Sequence, residues 1–302
     1  MSVSSRDLAA RLGPVGIWSS QFLSGSPTEL ADASRELERL GFGAIWLPES
    51  TWADPMVGAA LILAATERLC VATGVVRIHA RAAANTSNAW KGLSGWFPGR
   101  FVLGLGVSHR PSVERLGQSY DRPLATMVAY LDELAASRFD GRTADDEAPL
   151  HSVLAAVGPK MMALAAERTD GAHSYTSTAG HTATSRAVMG SEPLLAPEVK
   201  VVFDSDATTA RAIARQSLPL RLPNYANGLI RSGFDPEEVA AVSDRVVDAL
   251  VAWGDDDRIA AFMQSHLDAG ADHVAVQLLT ADANPAPVEL WRRLARLIPG
   301  GN

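Results

Sequence analysis

Cysteine is almost absent from this chain of 302 residues, and the sequence contains no long apolar run. The one cysteine, Cys70, excludes an internal disulfide and is typical of proteins from a reducing compartment. The longest apolar stretch, Met56 to Ala65, is far too short to span a bilayer. The stretch from Met1 to Trp18 lacks the continuous apolar block of a secretion signal. We therefore expect a cytoplasmic protein that is not in the membrane.

An excess of basic side chains is absent as well. The 27 Lys and Arg residues are outnumbered by 34 Asp and Glu residues, which gives a net charge of −7. Nucleic acid is therefore not an expected partner. The sequence also lacks a Walker lysine pattern, a His-Glu-x-x-His motif and a Gly-x-Ser-x-Gly elbow. These absences disfavour zinc hydrolases and enzymes with a serine nucleophile, and no metal site is predicted.

Apolar runs typical of buried strands alternate with helical patterns along the whole chain. We predict eight strands: Gly13 to Ile17, Gly43 to Leu47, Leu69 to Val76, Phe101 to Val107, Val153 to Val157, Ala172 to Thr176, Val199 to Phe203, and His273 to Leu279. Strand and helix repeated eight times predict a single α/β domain over residues 1–302, folded as a (β/α)8 TIM barrel. The stretch from Asp204 to Gly270 predicts extra helices between the seventh and eighth strands.

Three apolar stripes at helical spacing lie between these strands. One helix is predicted after Pro27, a second ends at Gly270, and a third begins at Asp235 and Pro236. The stripes are formed by Leu30, Ala33, Leu37 and Leu40; by Ile259, Phe262, Met263, His266 and Leu267; and by Val239, Val242, Val246 and Leu250.

The run from Gly99 to His109 is the most informative stretch. Its centre is apolar throughout, as in a strand buried on both faces, and it ends in Ser108 and His109. In a barrel of parallel strands, chemistry is done at the carboxyl ends, so these two side chains are candidate site residues. Alternatively, Gly104 and Gly106 only relieve crowding inside the barrel.

Polar residues follow other predicted strands in the same way. Glu49 and Ser50 follow the second strand, where Glu49 is either an acid or base or a solvated loop carboxylate. Gly74 interrupts the third strand, which indicates a bulge or the close approach of a flat ligand. After the sixth strand, Thr178 to Thr182 lead into a helix whose start is either a phosphate cradle or a plain N-cap at Thr182.

Five segments together resemble the luciferase-like monooxygenase superfamily, in particular its oxidoreductases that depend on the deazaflavin coenzyme F420. The segments are Gly41 to Glu49, Ala72 to Val76, Gly99 to His109, Leu154 to Lys160, and Ala269 to Val276. The resemblance implies a barrel of the bacterial luciferase type that holds a flavin-like ring at the carboxyl ends of its strands. It also implies a small-molecule substrate and a homodimer, for which Trp90, Trp96 and Phe97 are contact candidates, with barrel packing as the other interpretation.

The resemblance further assigns roles to individual residues. A non-proline cis peptide at Gly74 to Val75 would support the ring, His109 would lie close to it, and Gly180 to Thr182 would lie at the cofactor phosphate. The full set of expected cofactor-binding residues is Glu49, Ser50, Thr73, Gly74, Val75, Ser108, His109, Thr178, Gly180, His181 and Thr182. Helices around Asn224, Tyr225 and Phe234 either cover the pocket or simply pack.

One departure from the family concerns the proton donor. Some F420 enzymes have a histidine after the acidic residue that ends strand two, whereas this chain has Ser50 after Glu49. His109, and next Glu49, are therefore the catalytic candidates. The expected function is hydride transfer between F420 and a small organic substrate. The alternatives are an FMN-dependent monooxygenase and a barrel that binds a flavin or deazaflavin without turnover.

Overall fold

A computed structural model describes residues 5–49, 53–141, 148–282 and 287–299. Ser50, one of the expected site residues, lies outside these ranges. The strands are β1 (Val15–Trp18), β2 (Ala44–Leu47), β3 (Cys70–Thr73), β4 (Val76–Arg77), β5 (Phe101–Gly106), β6 (His151–Ala155), β7 (Gly171–His173), β8 (Leu194–Leu195), β9 (Glu198–Val202), β10 (Val251–Trp253) and β11 (Val274–Leu278).

The helices alternate with these strands. They are α1 (Ser5–Leu12), α2 (Pro27–Arg39), α3 (Pro55–Ala65), α4 (Ala83–Trp96), α5 (Arg110–Glu114), α6 (Pro123–Ala136), α7 (Pro159–Arg168), α8 (Ala179–Met189), α9 (Ala207–Ser217), α10 (Pro223–Arg231), α11 (Pro236–Ala241), α12 (Asp244–Leu250), α13 (Asp256–Asp268) and α14 (Val288–Ala295). Within the described ranges, every helix is too short or too polar to cross a membrane.

The strands form one curled parallel sheet, so the α/β class is confirmed. The order along the sheet is β10, β9, β11, β1, β2, β3, β5, β6, β7, β8, and β4 pairs with β5. Residues 194–202 contact both ends of this path. The backbone N–H groups of Ala196 and Glu198 donate to the carbonyls of Ala172, in β7, and Ser174, directly after β7. On the other side, β9 pairs with β11.

Each of the eight predicted strands overlaps an observed strand, but two observed strands, β8 and β10, were not predicted. β8 has two residues, too few for a pattern, and β10 follows α12 without an intervening turn.

The prediction of one helix beginning at Asp235 and Pro236 was wrong, because two helices, α11 and α12, occupy this stretch. Val242 has a left-handed backbone (φ +48°) that ends α11, and Ser243 caps α12. The extra helices α9 to α12 do follow the seventh predicted strand.

Apolar side chains fill both faces of the curled sheet. The outer face packs against the helices and forms the largest cluster of buried residues. The inner face is filled by another cluster that includes Trp18, Trp46 and Val102, together with Leu8 and Leu12 of α1. A third cluster joins α9 to α12 with β10. Because apolar side chains fill both faces of the sheet, a binding site is expected at the carboxyl ends of the strands, where polar groups lie.

Candidate active site

The sheet is interrupted after β3 by a bulge. Ala72 pairs with Val102 and Val76 pairs with Leu105, so four steps along one strand correspond to three along the other. The peptide bond between Gly74 and Val75, inside this bulge, is cis, as the family resemblance implied. The glycine in the third predicted strand therefore marks a true bulge.

At the bulge, the side chain of Thr73 takes the place of backbone hydrogen bonds between β3 and β5. Its hydroxyl donates to the Gly104 carbonyl at 2.8 Å and accepts the Gly104 N–H at 2.8 Å. A Cβ added at Gly104 would lie 1.9 Å from the Thr73 carbonyl oxygen, so the close approach requires glycine. Since the Thr73 hydroxyl is fully buried and fully used, it holds the bulge rather than facing a ligand.

Glu49 ties the end of β2 to the same bulge. One carboxylate oxygen accepts the Arg77 backbone N–H at 2.6 Å and lies 3.4 Å from Arg77 Nε. The Glu49 backbone N–H donates to the Val75 carbonyl at 3.2 Å. The Glu49 side chain is only 10% exposed, which rules out the solvated loop carboxylate. These contacts make Glu49 a residue that positions the segment after the bulge.

A row of aromatic rings crosses the carboxyl end of the sheet. The Trp18 indole N–H donates to the Gly74 carbonyl at 3.0 Å. The Trp18 ring lies 5.2 Å from Tyr175, Tyr175 lies 5.8 Å from Tyr225, and Tyr225 lies 5.4 Å from His109, all between ring centroids. Tyr225 is on α10, so this helix covers the end of the sheet, as one interpretation of the sequence predicted.

His109 lies at one end of this row. It is the residue before α5 and follows Ser108, whose backbone is left-handed (φ +61°). The Ser108 carbonyl accepts a hydrogen bond from the Tyr120 hydroxyl at 3.1 Å. Burial lowers the pKa of His109, and a hydrogen bond with the Asn224 side chain opposes this shift. At neutral pH the imidazole is therefore uncharged, which suits a proton acceptor better than a proton donor.

A fully buried ion pair lies beneath the aromatic row. Lys200 Nζ is 2.8 Å from both carboxylate oxygens of Glu198 and 3.8 Å from the centre of the Tyr175 ring. Lys200 also donates to the Thr176 hydroxyl at 3.2 Å, and Glu198 accepts the Thr176 N–H. We did not predict this pair, although Glu and Lys two positions apart in an otherwise apolar strand are a readable signal.

The start of α8 faces a cavity of about 300 Å³. Thr178 is the N-cap and accepts the His181 N–H at 3.1 Å. Thr178, Gly180 and His181 line the cavity together with Arg231 from the end of α10. Arg231, which sequence reasoning missed, has no ion-pair partner within the described ranges. Burial lowers the pKa of His181, and the nearby charge of Arg231 lowers it further.

Two of the expected residues at this helix start have structural partners. His181 Nε2 donates to the Val157 carbonyl at 2.8 Å, which joins α8 to the end of β6. The Thr182 hydroxyl is fully buried, 2.9 Å from Nδ1 of His266 on α13. The N-cap is Thr178 rather than Thr182, so the plain N-cap interpretation was wrong about the residue.

The family model for luciferase-like monooxygenases matches residues 13–273. The chain belongs to the luciferase-like monooxygenase family. It is 27% identical over 167 residues to a 5,10-methylenetetrahydromethanopterin reductase of Methanolobus tindarius, a match that covers 50% of this chain and 51% of the reductase. The chain thus spans about half the length of that curated relative.

Solved structures of this luciferase-like fold are similar over almost the whole chain. An F420-dependent secondary alcohol dehydrogenase in complex with an F420-acetone adduct has a TM-score of 0.72 and 16% identity, covering 96% of this chain and 99% of its own. The oxygenating constituent of a Pseudomonas putida diketocamphane monooxygenase in complex with FMN has a TM-score of 0.69 and 14% identity, covering 95% and 97%. These likenesses support the fold.

In this luciferase-like chain, four expected site residues lie at one end of the sheet. Glu49, Gly74, His109 and Gly180 follow β2, β3, β5 and β7, and the carboxyl ends of parallel strands share one edge. Of these four, only Gly180 lines the cavity of about 300 Å³ at the start of α8.

Proposed function

We propose that this chain is an oxidoreductase that transfers a hydride between coenzyme F420 and a small organic substrate. One juxtaposition carries the proposal. The Gly74–Val75 bulge and the start of α8 lie at the same end of the sheet, and the family resemblance assigns the flavin-like ring to the first and the cofactor phosphate to the second. We further propose that residues 194–202 close the sheet into a barrel and that the protein is a homodimer.

The residues at the start of α8 fit a phosphate. The first N–H groups of a helix have no partner within the helix, and Thr178 satisfies only that of His181. The N–H groups of Ala179 and Gly180 therefore point to the beginning of the helix, where the helix dipole favours an anion. Arg231 adds a guanidinium, which matches phosphate oxygens in charge and geometry.

The residues around the bulge fit a ring with hydrogen-bonding groups. His173 donates from Nδ1 to the Ala196 carbonyl at 2.7 Å, while its buried Nε2 has no hydrogen-bond partner among the residues that the structure describes. A Cβ at Gly74 would lie 3.3 Å from this nitrogen, so Nε2 faces the bulge. Burial lowers the pKa of His173 to about 4, which leaves Nε2 as a neutral acceptor.

F420, when bound, supplies the hydride acceptor or donor. The chain supplies position, exclusion of water and a proton site. Thr73 and Glu49 hold the bulge, and the rings of Trp18, Tyr175 and Tyr225 exclude water from the end of the sheet. His109, uncharged at neutral pH, takes the hydroxyl proton when an alcohol is oxidised.

Calorimetric titration of the purified protein with F420 and with FMN tests this proposal. We expect F420 to bind more tightly than FMN. Arg231→Gln should weaken F420 binding about tenfold or more, because a hydrogen bond to a charged group is lost. Arg138→Gln, a control on an exposed side chain, should bind like the wild type. Tight FMN binding with no response to F420 would reverse the choice in favour of an FMN-dependent monooxygenase.

Turnover needs a separate test, since a barrel that only binds a deazaflavin would pass the titration. Oxidised F420 should be reduced when secondary alcohols are added, as followed by the loss of F420 fluorescence. His109→Gln should lower kcat with little change in F420 affinity. If no alcohol, alkene, imine or carbonyl compound changes either redox form, the chain binds the cofactor without turnover.

A further inference from the structure

The turn between β7 and α8 contains a backbone conformation that its own residue disfavours. Thr176 has a φ of +57°, in the left-handed region, which a β-branched residue rarely adopts. Two residues later, Thr178 caps α8 and lines the cavity at the start of this helix. The left-handed residue sets the direction in which the chain enters α8, so other groups must hold it in this conformation.

The buried Glu198–Lys200 pair holds this residue from β9. Glu198 Oε2 accepts the Thr176 backbone N–H at 3.1 Å, and Lys200 Nζ donates to the Thr176 hydroxyl at 3.2 Å. The Glu198 backbone N–H also donates to the Ser174 carbonyl at 2.7 Å, which joins β9 to the chain just before the turn. Because the two charged groups contact both the backbone and the side chain of Thr176, together they fix its conformation.

Neither charge of the pair is available to a ligand. Both side chains are 0% exposed, and the three N–H donors of Lys200 are matched by the two carboxylate oxygens of Glu198 and the Thr176 hydroxyl. A buried ion pair adds little net stability, because each charge loses its water, and apolar residues of similar volume often replace such a pair without loss. The contribution of this pair is therefore the geometry that it imposes on Thr176.

We propose that Glu198 and Lys200 are positioning residues for phosphate recognition, which hold Thr176 in its left-handed conformation and thereby orient the first N–H groups of α8 toward the phosphate. This inference rests on the proposed function, which assigns the cofactor phosphate to the start of α8. It deepens that function by naming residues that act from outside the cavity, since neither side chain lines it.

A double variant of the full chain, Glu198→Leu/Lys200→Met, tests the proposal by calorimetric titration. It removes both charges together, so neither remains buried without a partner. We expect the affinity for F420 to fall about tenfold, and the affinity for its deazariboflavin core, which lacks the phosphate, to fall less than about twofold. A merely structural role would weaken the binding of both ligands equally. Asp132→Asn/Arg168→Gln removes an ion pair between α6 and α7, outside the cavity, and should bind F420 like the wild type.

Two single variants keep the test decisive if the double variant does not fold. Thr176→Val and Thr176→Gly both lose the hydroxyl, but only glycine adopts a left-handed backbone freely. We expect Thr176→Val to bind F420 at least about threefold more weakly than Thr176→Gly.

Hydrogen exchange followed by mass spectrometry reports on the turn without any cofactor. In the double variant, the amides of residues 174–180 should exchange faster than in the wild type, because the Thr176 N–H loses its acceptor.

Three results would overturn this inference alone: wild-type F420 affinity or exchange in a folded double variant, equal losses for F420 and its core, or equal F420 affinities of the two Thr176 variants. If the wild type does not bind F420, the proposed function fails and this inference fails with it.

Discussion

Replacing Thr73 by valine tests the physical basis of the bulge. Valine has nearly the same shape as threonine, so no cavity is created, but the hydroxyl is lost. Two buried backbone groups then lose their partner, namely the N–H and the carbonyl of Gly104, each 2.8 Å from the hydroxyl. No water replaces it, because Thr73 is fully buried.

The magnitude follows from the number of groups left without a partner. Each unsatisfied buried backbone group costs about 1–3 kcal/mol. For the two groups together, the free energy of unfolding should therefore fall by about 2–6 kcal/mol. At about 2 °C for each kcal/mol in a chain of this size, Tm should fall by about 4–12 °C.

Urea unfolding followed by circular dichroism measures the change. The matched control is Thr126→Val on α6, whose exposed hydroxyl donates to the Arg122 carbonyl. This control should stay within about 0.5 kcal/mol of the wild type, as most surface substitutions do. If Thr73→Val is as stable as Thr126→Val, the Thr73 hydroxyl does not hold the bulge and the argument fails.

Further predictions concern the buried thiol, the buried imidazoles and the subunit contact. Burial raises the pKa of Cys70 to about 11, so a thiol reagent should label native protein far more slowly than urea-unfolded protein. Burial lowers the pKa of His173, His266 and His273 to about 4. The unfolded chain therefore binds more protons between about pH 6.5 and pH 4, and urea unfolding should show stability falling as the pH is lowered through this window. A free energy of unfolding that stays constant or rises as the pH is lowered would contradict the lowered pKa values of these three histidines. Trp96 is 60% exposed, so Trp96→Glu should shift a dimer toward monomer in sedimentation velocity, whereas an unchanged sedimentation coefficient would remove Trp96 from the contact.

Much of the fold could be predicted because its strands are buried on both faces and bounded by glycine and polar residues. The run from Phe101 to Gly106 is such a strand, and it was found nearly residue for residue. β10 was missed because Val251 to Trp253 continue the apolar stripe of α12, and only tertiary pairing with β9 makes them extended. Likewise, nothing local predicts that Val242 breaks a helix.

The site was predictable in outline but not in its contacts. A glycine in an apolar strand indicated the bulge, yet the partners of Thr73 and Glu49 lie on other strands, so their positioning roles needed the tertiary structure. Arg231 reaches the site from the end of α10, far along the chain, and its position in the sequence carries no signal of that contact. For Tyr225 on the same helix, covering the pocket was only one of two interpretations, and only the tertiary structure decides between them.

A crystal structure of the protein with F420 tests the central claim most directly. We expect the deazaflavin ring to lie against Gly74 and Val75, near His109, with the phosphate at the start of α8 in contact with Arg231. A ring bound away from the bulge, or a phosphate bound elsewhere than Thr178 and Gly180, would contradict the account.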